Sequence, residues 1–497
     1  MTLPSASPRL GRDVLHELMY HLPRQSDVFS LMRTSKTLWD SGVKPLLDRG
    51  VTVEKLAQLS SFCDFMLNGD GRSRSVHLRK LHVAIRLDGD GARYDEESDT
   101  ENSDSNAGSD DGTAFHASGS KDTLRKLAQV LQNAPNLEEL RLDSCEELFE
   151  RHMDLAKSVT ALTTVRRLLV SSIGPLAAKM LDNIKSTLIE LDVHCGSEEI
   201  EEPDTLFPLV KSHQASLEKL SAWYVELDTL PRPFPRVTAL ALRSFFDCIL
   251  DVASLQRAFP SLRYLELSEP GDLEADESRE ANRPHAEKGS WTLAHLCGSL
   301  NALCGLGMAP HATKLEVDHV WSETATLAKL RTVVSEARPS HLVLHTGHLV
   351  FRPLNINDIP GLLPTGDVPV THLTLNMCPN FLAGPADKLL MFVLRLAYDL
   401  EDDEGPSTSR ASGRRPELLA AYAETLQQDI VRELVKVTSS LQHVVLTVSG
   451  VRTTYWVARR AETTIDVDEL DGASGRALVQ REGLAYNDRS IGIQVYP

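Results

Sequence analysis

The residues best suited to bind a metal are Cys297 and Cys304, with His295 close by. Six residues separate the two cysteines, a spacing that common zinc motifs do not use. Both cysteines also fall in an apolar stretch with a helical pattern. The chain has seven cysteines, an odd and scattered set that does not indicate a disulfide framework. The sequence therefore predicts that these two cysteines pack in the core, and that the chain has no metal site and no cofactor.

Catalytic motifs are not found in the sequence. It contains no glycine-rich dinucleotide or phosphate loop, no HExxH zinc motif and no GxSxG nucleophile motif. Neighbouring carboxylates such as Glu138–Glu139 and Glu146–Glu147 are more typical of a solvated face than of acid–base catalysis. We therefore expect no catalytic residue and no enzyme activity. Chemistry carried by residues 451–497, which no motif classifies, stays open as an alternative.

Composition and charge limit the partners. The chain has 497 residues and a formal net charge of −18, which argues against nucleic acid or an anionic membrane as the main partner. No apolar run approaches the roughly 18 to 20 residues that a membrane-spanning helix needs, and the first residues lack the layout of a signal peptide. The expected location is the cytoplasm, the nucleus or both.

A repeated pattern dominates the sequence between residues 76 and 450. Apolar residues recur at the first, fourth and sixth positions of a short segment, LxxLxL. Clear copies are Leu78-Leu81-Val83, Leu137-Leu140-Leu142, Val165-Leu168-Val170, Leu188-Leu191-Val193, Val237-Leu240-Leu242, Leu262-Leu265-Leu267, Ala312-Leu315-Val317, Val370-Leu373-Leu375 and Leu441-Val444-Leu446. Successive copies from Leu140 to Leu265, including a weaker one at Leu220, lie 20 to 29 residues apart. Larger gaps, such as the 50 residues between Leu265 and Leu315, indicate either two periods or an insertion.

The pattern predicts strands joined by helices. The fourth and sixth positions alternate around one outward residue, as in a strand with one buried face. Between copies, segments such as KDTLRKLAQVLQNAP place Leu124, Leu127 and Leu131 on one helical face and end at Pro135. Strands that run in one direction with helices between them form a parallel sheet.

These segments resemble the leucine-rich-repeat family, whose pattern is LxxLxLxx(N/C). The closest copies are Leu137-Leu140-Leu142-Cys145 and Val370-Leu373-Leu375-Cys378; other copies carry Ile173, Phe245 or Pro270 at the ninth position. The resemblance implies an α/β fold, an irregular leucine-rich-repeat solenoid over residues 76–450 with a parallel β-sheet on its concave face.

A helical module is predicted at residues 8–50, followed by a helical linker at 51–75. An apolar stripe formed by Val14, Leu15, Leu18, Met19 and Leu22 ends at Pro23. A second set, Val28, Leu31 and Met32, follows Asp27, which can cap a new helix. A third helix is expected through Thr37, Leu38 and Trp39.

This module resembles the F-box, in particular of fungal F-box proteins. Its first apolar set, the Asp27-Val28 step and the Ser35-Lys36 segment match the family pattern, whereas Gly11 replaces the usual proline. The resemblance implies a substrate-receptor subunit of an SCF-type cullin-RING ubiquitin ligase, in which the module binds the Skp-type adaptor and the repeats bind a target protein. The implied adaptor-binding residues are Leu10, Val14, Leu15, Leu18, Leu22, Val28 and Leu31. The alternative is a repeat scaffold whose N-terminal helices only cap the solenoid.

The sequence also predicts segments without regular structure and a surface for the target. Residues 88–118 are expected to form a disordered acidic insertion, and residues 270–290 and 400–416 flexible insertions. Residues 451–497 are expected to be a C-terminal cap or tail. On the concave face, exposed Arg, Trp and Tyr are favoured interface anchors, although each can also be an ordinary solvated strand residue. The best candidates to bind the target are Arg141, Trp223, Arg243 and Tyr264.

Overall fold

The protein forms two compact units, Met1–Asp228 and Thr229–Pro497. The structure is a computed structural model. It describes residues 12–22, 24–68, 74–85, 113–195, 204–223, 225–226, 232–243, 251–268, 272–286, 291–307, 311–320, 324–346, 370–377, 428, 431–432, 434–436, 441–448, 452–460 and 465–481. None of the helices within these residues is long and apolar enough to span a membrane.

The first unit begins with the three helices that the sequence predicts. They are α1 (Arg12–His21), α2 (Gln25–Met32) and α3 (Lys36–Asp48). The side chain of Ser35 caps α3 by accepting a hydrogen bond from the backbone N–H of Leu38. The three helices share a small core of fully buried side chains, which includes Met19, Val28, Met32 and Leu47. A core of this size is marginal alone, so the module needs packing against the rest of its unit.

The sheet of the first unit begins inside the predicted linker. Strand β1 (Val51–Val53) precedes α4 (Leu56–Leu67) and pairs in parallel with β2 (Lys80–Val83). Residues 51–75 are therefore not purely helical. Because β1 directly follows α3, the helical module is connected to the first strand pair without a spacer.

Parallel strands and helices alternate through the rest of the first unit. The strands are β3 (Glu139–Leu142), β4 (Arg167–Ile173), β5 (Glu190–Cys195) and β7 (Lys219–Trp223), with a separate two-stranded pair, β6 (Asp204–Thr205) and β8 (Val225–Glu226). The helices are α5 (Thr113–Gln132), α6 (Cys145–Arg151), α7 (Met153–Ala161), α8 (Pro175–Asn183) and α9 (Leu206–Val210), which is followed by a 3₁₀ turn at Lys211–His213. Leucines at the fourth position of the pattern align from β2 to β7 at Leu81, Leu140, Leu168, Leu191 and Leu220, and all are buried.

The second unit also contains parallel strands joined by helices, and its last two strands run antiparallel. Its parallel strands are β9 (Ala239–Arg243), β10 (Tyr264–Ser268), β11 (Thr292–Ser299), β12 (His311–Val320), β13 (His341–Thr346), β14 (His372–Met377) and β15 (His443–Val448). Strands β16 (Arg452–Arg460) and β17 (Ile465–Leu470) continue antiparallel. The helices are α10 (Val252–Ala258), α11 (Asp272–Ala286), α12 (Leu300–Gly305), α13 (Thr324–Ala337) and α14 (Gly472–Arg481).

The predicted α/β fold with a mostly parallel sheet is confirmed, with several local corrections. The predicted flexible insertion at 270–290 contains helix α11, because Ala275, Ser278 and Asn282 form one buried face of it. The acidic insertion predicted at 88–118 overlaps the start of α5 at Thr113, and its residues 88–112 lie outside the described residues, as do residues 400–416. The segment 451–497 contributes β16, β17 and α14.

The gap of 50 residues between Leu265 and Leu315 holds two periods. Strand β11 lies between β10 and β12, and its Leu296 pairs with both leucines. At the sixth position of the pattern, where the clear copies have Leu or Val, this copy has Gly298. The helical stretch predicted around Cys297 is therefore wrong: Cys297 lies in a strand, and the helix begins only at Leu300.

A buried histidine in the first unit makes folding sensitive to acid. The ring of His213 donates a 2.9 Å hydrogen bond from Nε2 to the carbonyl of Leu181, and burial lowers the pKa of His213 below its usual value near 6.5. The unfolded chain therefore binds this proton at a higher pH than the folded chain does. We expect the free energy of unfolding to fall below about pH 6.5, by at most about 1.4 kcal/mol per pH unit.

Urea denaturation followed by circular dichroism at pH 5.5, 6.5 and 7.5 measures this effect. The control is His213→Gln, because a glutamine amide can still donate to the carbonyl of Leu181 but does not titrate. The variant should lose less stability between pH 6.5 and pH 5.5 than the wild type. Equal losses in the two proteins would show that His213 does not carry the effect.

Candidate functional site

Large apolar side chains are exposed on the N-terminal helices. Val14 and Leu18 are 54% and 42% exposed, and one helical turn separates them, so both lie on the same face of α1. Tyr20 on α1 and Phe29 on α2 are exposed to a similar degree. We call the face of α1 that carries Val14 and Leu18 the N-terminal apolar surface. Exposed apolar residues in one small module are typical of a surface that binds a protein.

The predicted adaptor-binding residues differ in their exposure. Val14 and Leu18 are exposed, Leu15, Leu22 and Leu31 are half-buried, and Val28 is fully buried. Leu10 lies outside the described residues. Val28 therefore belongs to the core of the module and cannot contact a partner directly. Phe29, which the sequence pattern does not select, is exposed next to it and contacts the ring of Trp39 edge to face, with 5.8 Å between the ring centroids.

Charged side chains alternate across the strands of the first unit. The row runs from Lys80 on β2 through Glu139, Arg167 and Glu190 to Lys219 on β7, with successive ion pairs of 3.1, 3.6, 2.9 and 3.0 Å. Each exposed pair stabilises the fold by at most about 1 kcal/mol. Because opposite charges face each other in every neighbouring pair, this face carries no concentrated charge of either sign.

The two predicted anchors of the first unit are not freely exposed. Arg141 is half-buried, and its Nε donates to Asp143, 3.2 Å away. Trp223 is half-buried against the ring of His194, with 4.9 Å between the ring centroids. His194 in turn lies 3.1 Å from the carboxylate of Asp192. Both residues can still contribute contact area, but only as parts of rigid side-chain groups.

In the second unit, Arg243 and Tyr264 are held by Glu266. Arg243 and Glu266 form an ion pair in which both side chains are about nine-tenths buried. The hydroxyl of Tyr264 donates to the other carboxylate oxygen of Glu266 at 2.9 Å, and the Tyr264 ring packs on Ala239 and Ala241. The prediction that Arg243 is an exposed anchor is wrong, because its side chain is buried in the ion pair with Glu266 on the neighbouring strand.

A buried carboxylate, Glu316 on β12, lies at the centre of a second polar cluster. His295 Nε2 and Lys314 Nζ lie 3.0 and 2.9 Å from Glu316 Oε2, and His345 Nε2 lies 2.9 Å from Oε1. Burial alone would raise the pKa of Glu316, but the hydrogen bonds from His295 and His345 and the charge of Lys314 lower it well below its usual value. Glu316 is therefore a carboxylate anion at neutral pH.

The tautomer of His345 is fixed by its second partner. The side-chain amide Nδ2 of Asn376 lies 3.0 Å from His345 Nδ1, which therefore accepts this hydrogen bond. The proton of the neutral ring is then on Nε2, which donates to Glu316. Asn376, His345 and Glu316 form a chain of hydrogen bonds across three neighbouring strands, which orients the carboxylate.

Cys297 belongs to the same cluster. It is buried on β11 in register with Glu316, and the donor atoms of His295, Cys297 and Glu316 all lie within 4.8 Å of one another. Burial and the neighbouring carboxylates of Glu316 and Asp318 raise the pKa of the Cys297 thiol. A second group of possible ligands, Glu316, Asp318 and His345, has the same spacing and shares Glu316.

Three histidines continue this face. His341 and His372 have ring centroids 4.4 Å apart, and His372 and His443 are stacked at 4.6 Å. His443 Nδ1 lies 2.8 Å from His372 Nε2, so one ring donates a hydrogen bond to the other. These histidines, one each on β13, β14 and β15, lie side by side because the three strands pair in register.

The sequence pattern assigned Cys297 to the apolar core and did not connect it with Glu316, His345 or Asn376. The signal was present in the repeat pattern, since placing Leu293-Leu296-Gly298 in register with Ala312-Leu315-Val317 puts Cys297 next to Glu316. A pattern that accepted glycine at its sixth position would have found it. Searches against models of known protein families and against curated proteins find no match to the chain.

Proposed function

We propose that the protein is a substrate-receptor subunit of an SCF-type cullin-RING ubiquitin ligase. In this function the N-terminal helices bind a Skp-type adaptor, and the strand faces of a leucine-rich-repeat solenoid bind a target protein. The protein itself catalyses no reaction and acts in the cytoplasm or the nucleus. Both partners are proteins, in agreement with the net charge of −18, which argues against nucleic acid as the main partner.

The observation that carries this proposal is the N-terminal apolar surface. Val14 and Leu18 lie at two of the positions that the F-box resemblance assigns to adaptor binding, and both are exposed. The neighbouring Met19 and Val28 are buried, so the module has its own core in addition to this surface. Burying a fully exposed Val or Leu side chain contributes about 1.5 to 3 kcal/mol of binding free energy, and about half of that for Val14 and Leu18, which are half exposed. Covering these residues would therefore favour the binding of a partner to the module.

The strand faces are suited to hold a target because they are ordered and polar. Paired strands in register place side chains at fixed separations, so a target meets a preorganised surface and loses less conformational entropy on binding. The half-buried Trp223 of the first unit and the half-buried Tyr264 of the second offer aromatic contact area of the kind that interfaces favour.

A second candidate is a repeat scaffold whose N-terminal helices only cover the end of the sheet. One observation favours it. Strand β1 follows α3 directly and pairs with β2, so the helices lie where a solenoid cap would lie. The two candidates differ in whether the N-terminal apolar surface binds the adaptor.

Substitution of Leu18 or Val14 by Asp is expected to abolish adaptor binding. Each change places a charge on the N-terminal apolar surface, and burying that charge unpaired in a complex should weaken binding by at least about 100-fold. Neither residue is buried in the chain itself, so both variants should stay folded. The measurement is the affinity of the purified full chain for a Skp-type adaptor by titration calorimetry, with circular dichroism as the test of folding.

Met153→Asp is the matched control. Met153 on α7 is also an exposed large apolar residue of the first unit, but it lies outside the helical module. Its substitution should change adaptor affinity less than about threefold. Wild-type protein that binds no adaptor would overturn the receptor proposal and favour the scaffold. The receptor proposal also fails if Leu18→Asp and Met153→Asp bind equally well.

A further inference from the structure

The second unit brings together three chemical types of metal ligand on neighbouring strands. His295 and Cys297 lie two residues apart on β11, so both point to the same face of the sheet. Glu316 on β12 pairs in register with Cys297. An imidazole nitrogen, a thiol sulfur and a carboxylate oxygen are the ligands that Zn²⁺ binds in proteins. All three side chains are buried or half-buried.

We propose that these residues, His295, Cys297 and Glu316, bind a transition-metal ion of the Zn²⁺ type. The ligands would be His295 Nε2, the thiolate of Cys297 and the carboxylate of Glu316, with an open fourth position. This site does not depend on the proposed ligase function and goes beyond it.

The position of Cys297 is the first reason for the proposal. A cysteine that only filled the apolar core would point to the same side as Leu296 and Gly298. Strand alternation instead places Cys297 on the polar face, between His295 and Ser299. It is at least nine-tenths buried there, next to carboxylates. A thiol in that position is difficult to explain by hydrophobic packing but is well placed as a ligand.

The distances permit a single ion. Zinc–ligand bonds are about 2.0 to 2.3 Å long, so donor atoms around one tetrahedral ion lie roughly 3 to 4 Å apart. The three donor atoms already lie within 4.8 Å of one another. Side-chain shifts of about 1 Å therefore suffice, which is a small adjustment compared with backbone movement.

The surrounding groups would support the ion. The thiolate and the carboxylate bring two negative charges to a divalent ion, and the ammonium of Lys314, 2.9 Å from Glu316 Oε2, must move away when the ion takes its place. His345 donates to Glu316 Oε1 and so fixes the second carboxylate oxygen. Such partners orient a ligand and raise its affinity for metal.

The ligand set selects among metals. Sulfur and imidazole nitrogen favour Zn²⁺, Co²⁺ and Ni²⁺ over Mg²⁺ and Ca²⁺, which prefer oxygen ligands. Cys304 is excluded from the set, because it lies on α12 next to Arg279 and not on the polar strand face. The two cysteines that are close in sequence therefore do not form a pair, and only Cys297 belongs to the site.

Cobalt titration of the full chain tests the proposal, since a Co²⁺–thiolate bond gives a sulfur-to-cobalt charge-transfer band in the near ultraviolet. Chelator-treated wild-type protein should bind one equivalent of Co²⁺ with this band and tetrahedral visible bands, and Zn²⁺ should displace the cobalt. Cys297→Ser should lose the band. The matched control Cys304→Ser, also a buried cysteine of the second unit, should keep it.

Two further variants separate ligands from supporting residues. Glu316→Gln should weaken Zn²⁺ binding by at least about 100-fold, and His345→Gln by about 10- to 100-fold with the charge-transfer band retained. Wild-type protein without a sulfur-to-cobalt band, or a band that persists in Cys297→Ser, overturns the proposal. The wild-type titration is decisive even if a variant does not fold, which circular dichroism would reveal.

Discussion

The variant Gly298→Ala is expected to lower the free energy of unfolding of the second unit by more than about 4 kcal/mol. A Cβ atom on residue 298 would lie 1.8 Å from the backbone carbonyl oxygen of Leu267 on β10. The φ angle of Gly298 is +154°, a conformation that residues with a side chain rarely adopt. Because the obstacle is backbone, no side-chain rotation can relieve the clash, and β11 must separate locally from β10.

Urea denaturation gives the loss of stability, and hydrogen exchange measured by mass spectrometry should show faster exchange in β10 and β11. Gly472→Ala is the control. Its added Cβ would meet only the end of the flexible Arg476 side chain, at 3.3 Å, so its stability should change by less than about 0.5 kcal/mol. A Gly298→Ala protein as stable as this control would show that the strands are not in such close contact.

The variant Arg243→Met is expected to cost about 3 to 5 kcal/mol of stability, because it breaks a buried ion pair and leaves the Glu266 carboxylate without its cation. The hydroxyl of Tyr264 would remain as a hydrogen-bond donor to Glu266, but a single neutral donor does not compensate for a buried negative charge. The measurement is chemical denaturation near neutral pH.

The double variant Arg243→Met with Glu266→Leu tests the cause. Removing both charges leaves no unpaired ion, so the double variant should be more stable than Arg243→Met alone. If the two substitutions instead destabilise additively, the loss comes from packing and not from the unpaired charge. Arg243 and Glu266 would then contribute independently to the fold.

Much of the fold follows from the spacing of apolar residues. The LxxLxL copies place buried leucines at one register position on successive strands, as Leu140, Leu168 and Leu191 show. Alternation on each strand then decides which side chains face the polar side. The period and the direction of the strands could be predicted because both follow from local patterns that repeat along the chain.

Strand β11 could not be found from an apolar pattern, for a physical reason. Close approach of β10 and β11 requires glycine at position 298, where the pattern expects a large apolar residue. The same error placed Cys297, together with Cys304, in a helical stretch that packs in the core. The requirement for glycine at position 298 comes from a tertiary contact with β10, which a local sequence pattern does not describe.

The sequence predicts which residues lie on the polar face of the sheet, but not which side chains they contact. Arg243 and Tyr264 were expected to be exposed anchors, but both side chains are held by the carboxylate of Glu266. Similarly, the F-box resemblance implies that Val28 binds the adaptor, although it packs in the core of the module while Phe29 is exposed. Which face of a short helix is covered depends on its neighbours, and the sequence of the helix alone does not state this.

The last strand of the second unit lies at an edge of the sheet and affects how two copies of the protein can associate. In the strand order of the described residues, β17 lies outermost and pairs only with β16. It carries Asp466, Asp468 and Glu469, of which Asp468 pairs with Arg459 on β16 at 3.4 Å, and its N-terminal half is exposed. An open strand edge can recruit another chain and start aggregation, whereas a row of like charges repels an identical edge. At high concentration, two copies of this protein that approached edge to edge here would therefore bring carboxylates together, and growth into a continuous intermolecular sheet would be suppressed.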